Sequence, residues 1–162
     1  MSEDKHMDKL EIIEALKHLP DRVEAEIDGL SASALRHRPA DEEWSIKEVA
    51  GHLRDMAEVW HKRLYMIWSQ TDPLFQSFDG AASVSERGYQ DAELSSVIAE
   101  MRMQRMKTVD LLSHAVDWTR TGMQRGAGRR TLKQFAEYVV GHDDEHIEHI
   151  RALKGIYGVV GV

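Results

Sequence analysis

Cysteine is absent from the 162 residues of the chain. This absence excludes disulfides, a cysteine nucleophile and thiolate ligands, so any metal ion would have to be bound through nitrogen and oxygen atoms. A chain without cysteine also fits a cytoplasmic protein, because disulfides are rare in that compartment. We therefore expect a cytoplasmic location.

A long apolar run and a surplus of basic residues are also missing. No stretch approaches the ~20 apolar residues of a membrane-spanning helix, and the N-terminal segment lacks the pattern of a secretory signal. Asp and Glu number 28 against 21 Lys and Arg, which gives a formal net charge of −7. Nucleic-acid-binding surfaces are basic, so we expect neither nucleic acid nor a membrane as partner. A small neutral or cationic ligand, or a buried site, fits this charge better.

Helical periodicity is the main pattern that is present. Apolar residues recur at helical spacing, and no run of alternating β-branched residues predicts a strand. The sequence predicts an all-α protein, a four-helix bundle formed by one domain over residues 1–162. The predicted helices cover about residues 10–27 (with a break or kink at Pro20), 46–67, 91–112 and 132–153.

Two helix starts are marked by capping boxes. Ser45 with Glu48, and Thr131 with Gln134, have the spacing in which each side chain bonds to the backbone of the other residue. Residues 70–89 lose the periodicity, which predicts a long connection between the second and third helices. Gly155 is predicted to end the last helix.

Histidines dominate the second half of the last helix. His142, His146 and His149 continue the seven-residue steps of an apolar seam, so they are predicted to face the core. A polar ring at a core position is costly unless it has a partner, and two histidines at i and i+4 can bind one metal ion. A polar end of the helix, solvated by neighbouring acidic residues, is the alternative.

His52 is the candidate for a ligand from another helix. It lies on the flank of the apolar stripe of the second helix, with Glu48 one turn before it and Asp55 one turn after. Either carboxylate could orient the imidazole of a metal-bound histidine, although Glu48 also belongs to the cap.

Several short motifs, in their order and spacing, resemble the DinB/YfiT-like family of metal-binding four-helix bundles. They are Arg38-Pro39, Trp44-Ser45-x-x-Glu48-x-x-x-His52-Leu53, Asp117-Trp118-x-Arg120, Thr131-Leu132, and the H-x-x-x-H pair His142 and His146. The resemblance covers nearly the whole chain.

This resemblance implies a divalent ion (zinc, nickel, iron or manganese) held by His52, His142 and His146, with water completing its coordination. Family members commonly have glutamine where this chain has His149, so His149 could be a further ligand, bond to a bound water, or do neither. The resemblance also implies a homodimer.

Two functions follow as hypotheses. The first is a metal-dependent enzyme acting on a small-molecule substrate, either as a hydrolase or as a transferase or isomerase that uses an external low-molecular-weight thiol; Asp143, Glu48 and His149 are its candidate proton-transfer groups. The second is a non-catalytic helical bundle that binds a metal or a partner, for which methionines at 101, 103 and 106 would offer an adaptable apolar surface.

Overall fold

Helices make up most of the computed structural model, which describes the backbone of residues 7–160 and the side chains of residues 7–158. The main bundle is built from α4, α6, α7 and the pair α1 and α2, and α4 packs against both α6 and α7. The helices are α1 (Lys9–Lys17), α2 (Leu19–Ile27), α3 (Ala32–Arg36), α4 (Ile46–Ser69), α5 (Gly80–Arg87), α6 (Leu94–His114) and α7 (Leu132–Val160).

The expected break at Pro20 separates α1 from α2. Pro20 lies in the first turn of α2, where its missing N–H would have no helical acceptor. Both capping boxes are confirmed: Ser45 and Glu48 bond to the backbone of each other at the start of α4, and Thr131 and Gln134 do the same before α7. These local side-chain bonds fix where the two longest helices begin.

The end of the last helix was predicted wrongly. Helix α7 continues through Gly155 to Val160. Gly155 does not adopt the positive φ that a glycine cap requires, whereas Gly29 does so just after α2. A glycine can therefore remain inside a helix when nothing else stops it, at some cost in stability.

A small sheet departs from the all-α expectation. Its strands are β1 (Leu74–Phe75), β2 (Thr121–Gln124) and β3 (Gly128–Thr131); β1 is parallel to β2, and β2 is antiparallel to β3. Strands of two to four residues are too short to show alternation in the sequence. The sheet lies at one end of the bundle, where the ring of Phe75 packs so closely on Gly122 that a Cβ there would come within 2.7 Å.

The chain between α4 and α6 contains β1, α5 and a short 3₁₀ turn, Tyr89–Asp91. Helix α5 packs on α4, and the ring of Tyr89 lies directly over Gly51. This arrangement covers the part of α4 that carries His52. Within residues 7–160, none of the helices combines the length and apolar character needed to cross a bilayer.

The predicted seam of α7 is buried at its apolar positions, which include Val139 and Leu153, but not fully at its histidines. Asp143, Ile147 and Ile150 are buried, whereas the three histidines of α7 are only partly buried. In this stretch the most buried positions lie one residue beyond each histidine. The histidines therefore lie along the edge of the core.

Asp143 forms an ion pair with Arg105 of α6, and both side chains are only 2% exposed. The guanidinium donates two bonds to the carboxylate, Nη1 to Oδ2 at 2.6 Å and Nη2 to Oδ1 at 2.7 Å, and a third to the carbonyl oxygen of Leu16 at 3.1 Å. This pair links α1, α6 and α7, and it sets the rotation of α7 about its own axis.

Replacing Asp143 by asparagine should lower the free energy of unfolding by about 3–5 kcal/mol, because Arg105 would remain buried without a counter-charge. The double variant Arg105→Met, Asp143→Leu should recover much of the loss. Urea unfolding of the metal-free proteins measures both effects, with the exposed Arg151→Gln as a control that should change little. A small loss in Asp143→Asn would show that the pair does not hold the helices together.

Candidate metal centre

Three histidines from two helices meet at one point between α4 and α7. One ring nitrogen each from His52, His142 and His146 lies within 4.8 Å of the others. The Nε2 atoms of His52 and His142 are 3.4 Å apart. Helix periodicity explains the pair on α7, because residues four apart lie on the same face. His52 comes from the facing surface of α4, on the same side as the buried Val49 and Met56.

The geometry of these nitrogens fits a divalent ion. Two imidazole nitrogens bound to a tetrahedral ion at about 2.0–2.1 Å lie about 3.3–3.4 Å from each other. The separation of 3.4 Å between the two Nε2 atoms matches that value. Two nitrogen lone pairs at such a distance repel unless a proton or a cation lies between them. The structure therefore brings together a donor set that could hold a metal ion.

Burial keeps these imidazoles neutral. It lowers the pKa of His52 to about 4 and the pKa values of His142 and His146 to about 3, and neighbouring histidines add to the effect. Neutral imidazole is the form that binds a metal ion. The three rings are thus ready to act as ligands at neutral pH without first losing a proton.

The second nitrogen of each ring has an unusual environment. Nδ1 of His52, His142 and His146 is buried, and no hydrogen-bond acceptor contacts it among the residues that the structure describes. Metal-bound histidines usually donate this N–H to a carboxylate or carbonyl group. Here packing against neighbouring groups orients the rings instead.

The carboxylates that were expected near the histidines are engaged elsewhere. Glu48 accepts two bonds from Arg38, at 2.7 and 2.8 Å, and one from the backbone N–H of Ser45. Asp143 binds Arg105 in the core. These contacts give Glu48 and Asp143 structural roles, and neither forms a hydrogen bond to a histidine of the described residues.

Asp55 was the other carboxylate expected to orient His52. It accepts hydrogen bonds from the hydroxyl groups of Ser83, at 2.7 Å, and Tyr89. It also lies beside the guanidinium groups of Arg54 and Arg87. Asp55 therefore fastens the connection after α4 to the bundle.

His149 lies next to the three histidines but outside their group. Its ring centroid is 6.0 Å from that of His146 and 6.5 Å from that of Trp44. Burial lowers its pKa below the usual value. His149 is thus a neutral, partly buried imidazole at the edge of the site.

Two tryptophans and a glycine form the walls of the site. None of them was predicted as a site residue. Trp44 lies 4.9 Å from the His52 ring and Trp60 lies 5.7 Å from the His142 ring, centroid to centroid. Gly80, at the start of α5, approaches His52 so closely that a Cβ there would come within 2.9 Å of Cε1 and 3.1 Å of Nδ1. The sequence carried no signal for this contact, because it depends on how the connection folds back over α4.

Fold and site together define a class: a helical-bundle protein with a three-histidine group that could bind a metal ion. The chain belongs to the DinB superfamily, whose family model matches residues 15–150. Among solved structures, YfiT from Bacillus subtilis is similar over 98% of this chain and 94% of its own, with a TM-score of 0.88 and 20% sequence identity. YfiT is described as a probable metal-dependent hydrolase with an unusual four-helix bundle topology. A search of curated proteins gave no significant match.

Metal binding at pH 6 should release almost no protons. Three histidines with the ordinary pKa of about 6.5 would carry about two protons at this pH and release them on binding. The pKa values of His52, His142 and His146 are about 4, 3 and 3. These rings therefore carry almost no protons at pH 6 and have almost none to release. Calorimetric titration in two buffers that differ in ionisation enthalpy measures the proton count. Release of about two protons would contradict the account of buried, neutral rings.

Gly80→Ala should weaken metal binding by about tenfold or more, because the added methyl group displaces the ring of His52. Gly155→Ala is the matched control: its Cβ meets nothing within 4 Å among the described residues, so it should leave metal affinity unchanged and stabilise α7 slightly. Competition with a chromophoric chelator measures both affinities. Equal affinity in Gly80→Ala and wild type would remove Gly80 from the site.

Proposed function

We propose that this protein is a metal-dependent enzyme that uses His52, His142 and His146 to hold one divalent ion and acts on a small-molecule substrate. The observation that carries the proposal is the spacing of the imidazole nitrogens, with the two Nε2 atoms 3.4 Å apart. The family and the similarity to YfiT support the same reading. A bound divalent ion would supply a Lewis acid and lower the pKa of a coordinated water or thiol.

Hydrolysis is the reaction we propose first, because it needs only water as the second reactant and because YfiT is described as a probable metal-dependent hydrolase. Transfer to a low-molecular-weight thiol is the second form of the same proposal. The chain has no cysteine, so that thiol would have to come from outside. The identity of the metal, the homodimer, the cytoplasmic location and the single domain remain predictions.

Residues around the three histidines would transfer protons and exclude water. His149 is a neutral imidazole beside His146, so it is placed to accept or donate a proton near the site. Trp44 and Trp60 provide apolar walls against the rings of His52 and His142, and such walls exclude water and strengthen electrostatic interactions. We propose no proton-transfer role for Glu48 or Asp143, since both are bound to arginines.

Metal titration of purified protein should give one divalent ion per chain. His52→Ala, His142→Ala and His146→Ala should each lose about 100-fold or more in affinity, because each removes one of three ligands. His114→Ala, an exposed histidine on α6, should bind like wild type. Saturating metal should raise the melting temperature of wild type but not of the three ligand variants. Unchanged affinity in the ligand variants would exclude this site.

Turnover should require both the metal and all three histidines. We would test metal-loaded protein on activated esters and amides, first without a thiol and then with small thiols and an electrophilic acceptor. Hydrolysis without thiol supports the first form of the proposal, and turnover only with thiol supports the second. His149→Gln should slow turnover while leaving metal affinity unchanged. Stoichiometric metal without turnover of any of these substrates would favour the non-catalytic bundle.

A further inference from the structure

Arg63 of α4 is a buried cation without a counter-charge. The residue is only 6% exposed. Among the described residues, no carboxylate lies within ion-pair distance of its guanidinium, although the other buried arginines, Arg54 and Arg105, each hold at least one. Burial lowers the pKa of Arg63, and the hydroxyl of Tyr138 opposes that effect.

The contacts of Arg63 use little of its hydrogen-bonding capacity. Nη2 donates to the carbonyl oxygen of Gln76 at 2.8 Å. The guanidinium carbon lies 5.5 Å from the ring centroid of Trp60 and 5.6 Å from that of Phe75. A guanidinium has five N–H donors arranged to bind a carboxylate or phosphate through two bonds. Most of these donors have no protein acceptor within the described part of the chain.

A cavity of about 440 Å³ is lined by Arg63. It runs along α4 beneath the connection that carries β1 and α5. Its walls combine apolar and charged groups; they include Val59, Met66, Phe75, Phe78, Lys62 and Arg87. This volume suits a small organic molecule.

The acidic residues of the cavity are already paired. Asp55 accepts bonds from Ser83 and Tyr89 and lies beside Arg87, and Glu58 accepts a bond from Arg54 at 2.8 Å. They therefore do not neutralise Arg63. An unpaired buried charge lowers the stability of a fold. One hydrogen bond to the carbonyl oxygen of Gln76 does not offset the cost of burying the guanidinium. A ligand with an anionic group would supply the missing partner.

We propose that this cavity binds a small molecule that joins an apolar body to a carboxylate or phosphate group, with Arg63 as the anchor for the anion. Phe75, Phe78 and Val59 contact the apolar part. The inference goes beyond the proposed function and does not depend on a metal. The net charge favoured a neutral or cationic ligand or a buried site; this proposal takes the buried site, where the local charge of the cavity selects the ligand.

The cavity and the histidines are neighbours. Trp60 contacts both Arg63 and the ring of His142, and Asp55, at one end of the cavity, lies one turn after His52. Arg63 is eleven residues after His52, which is about 16 Å along the helix. A molecule anchored at Arg63 would thus extend along α4 toward the histidines.

The test compares two anions with a neutral molecule of similar shape. Phenylacetate, phenyl phosphate and phenylacetamide are titrated into metal-free protein, so that no anion binds through a metal, and binding is followed by calorimetry and NMR. At least one anion should bind wild type about tenfold more tightly than the amide. Arg63→Met should abolish this preference, and Arg63→Lys should keep part of it. Lys107→Met, which removes an exposed charge on α6 outside this cavity, should keep it in full.

Two results would overturn the proposal. One is a wild type that binds neither anion more tightly than the amide; the other is a folded Arg63→Met variant that retains the preference. If Arg63→Met does not fold, NMR of wild type decides the matter. Shifts in the side-chain signals of Arg63, Phe75 and Phe78 would support the cavity, and shifts confined to the arginine-rich segment 120–130 would contradict it.

Discussion

The packing of α4 against α7 is the constraint on which the candidate site depends. Trp60 of α4 packs edge-on against Phe135 of α7, with ring centroids 5.5 Å apart, and also contacts His142. This contact fixes how far the two helices stand from each other. At that separation the Nε2 atoms of His52 and His142 lie 3.4 Å apart, a distance suited to a shared ion. If α4 and α7 stood farther apart, His52 could not share an ion with His142 and His146.

Two buried arginines, Arg105 and Arg63, have different roles in the structure. Arg105 is satisfied by Asp143, so it serves to fix the rotation of α7 and hence the direction in which His142 points. Among the described residues, Arg63 contacts one carbonyl acceptor and two aromatic rings, and it lines a cavity. A buried ion pair can specify one packing arrangement, whereas a buried unpaired cation favours an anionic ligand.

Local signals in the sequence predicted the long helices, and the structure brings His52, His142 and His146 together; their role as metal ligands stays a prediction. The capping box of Ser45 and Glu48 fixed the start of α4, and therefore the direction of His52, because a capping box depends on neighbouring residues alone. The burial of Arg105 could not be predicted. Its partner, Asp143, is 38 residues away in the chain, and no local pattern in α6 distinguishes Arg105 from an exposed arginine. The approach of Gly80 to His52 was hidden for the same reason: it arises from the path of a connection, not from any local pattern.

Crystal diffraction from metal-loaded protein, recorded at wavelengths on both sides of the absorption edge of the metal, tests the central claim most directly. The account predicts one anomalous peak per chain, about 2.0–2.2 Å from a ring nitrogen of each of His52, His142 and His146, with at least one remaining position open to solvent or substrate. A peak that contacts fewer than three of these rings, or a peak elsewhere on the chain, would contradict it.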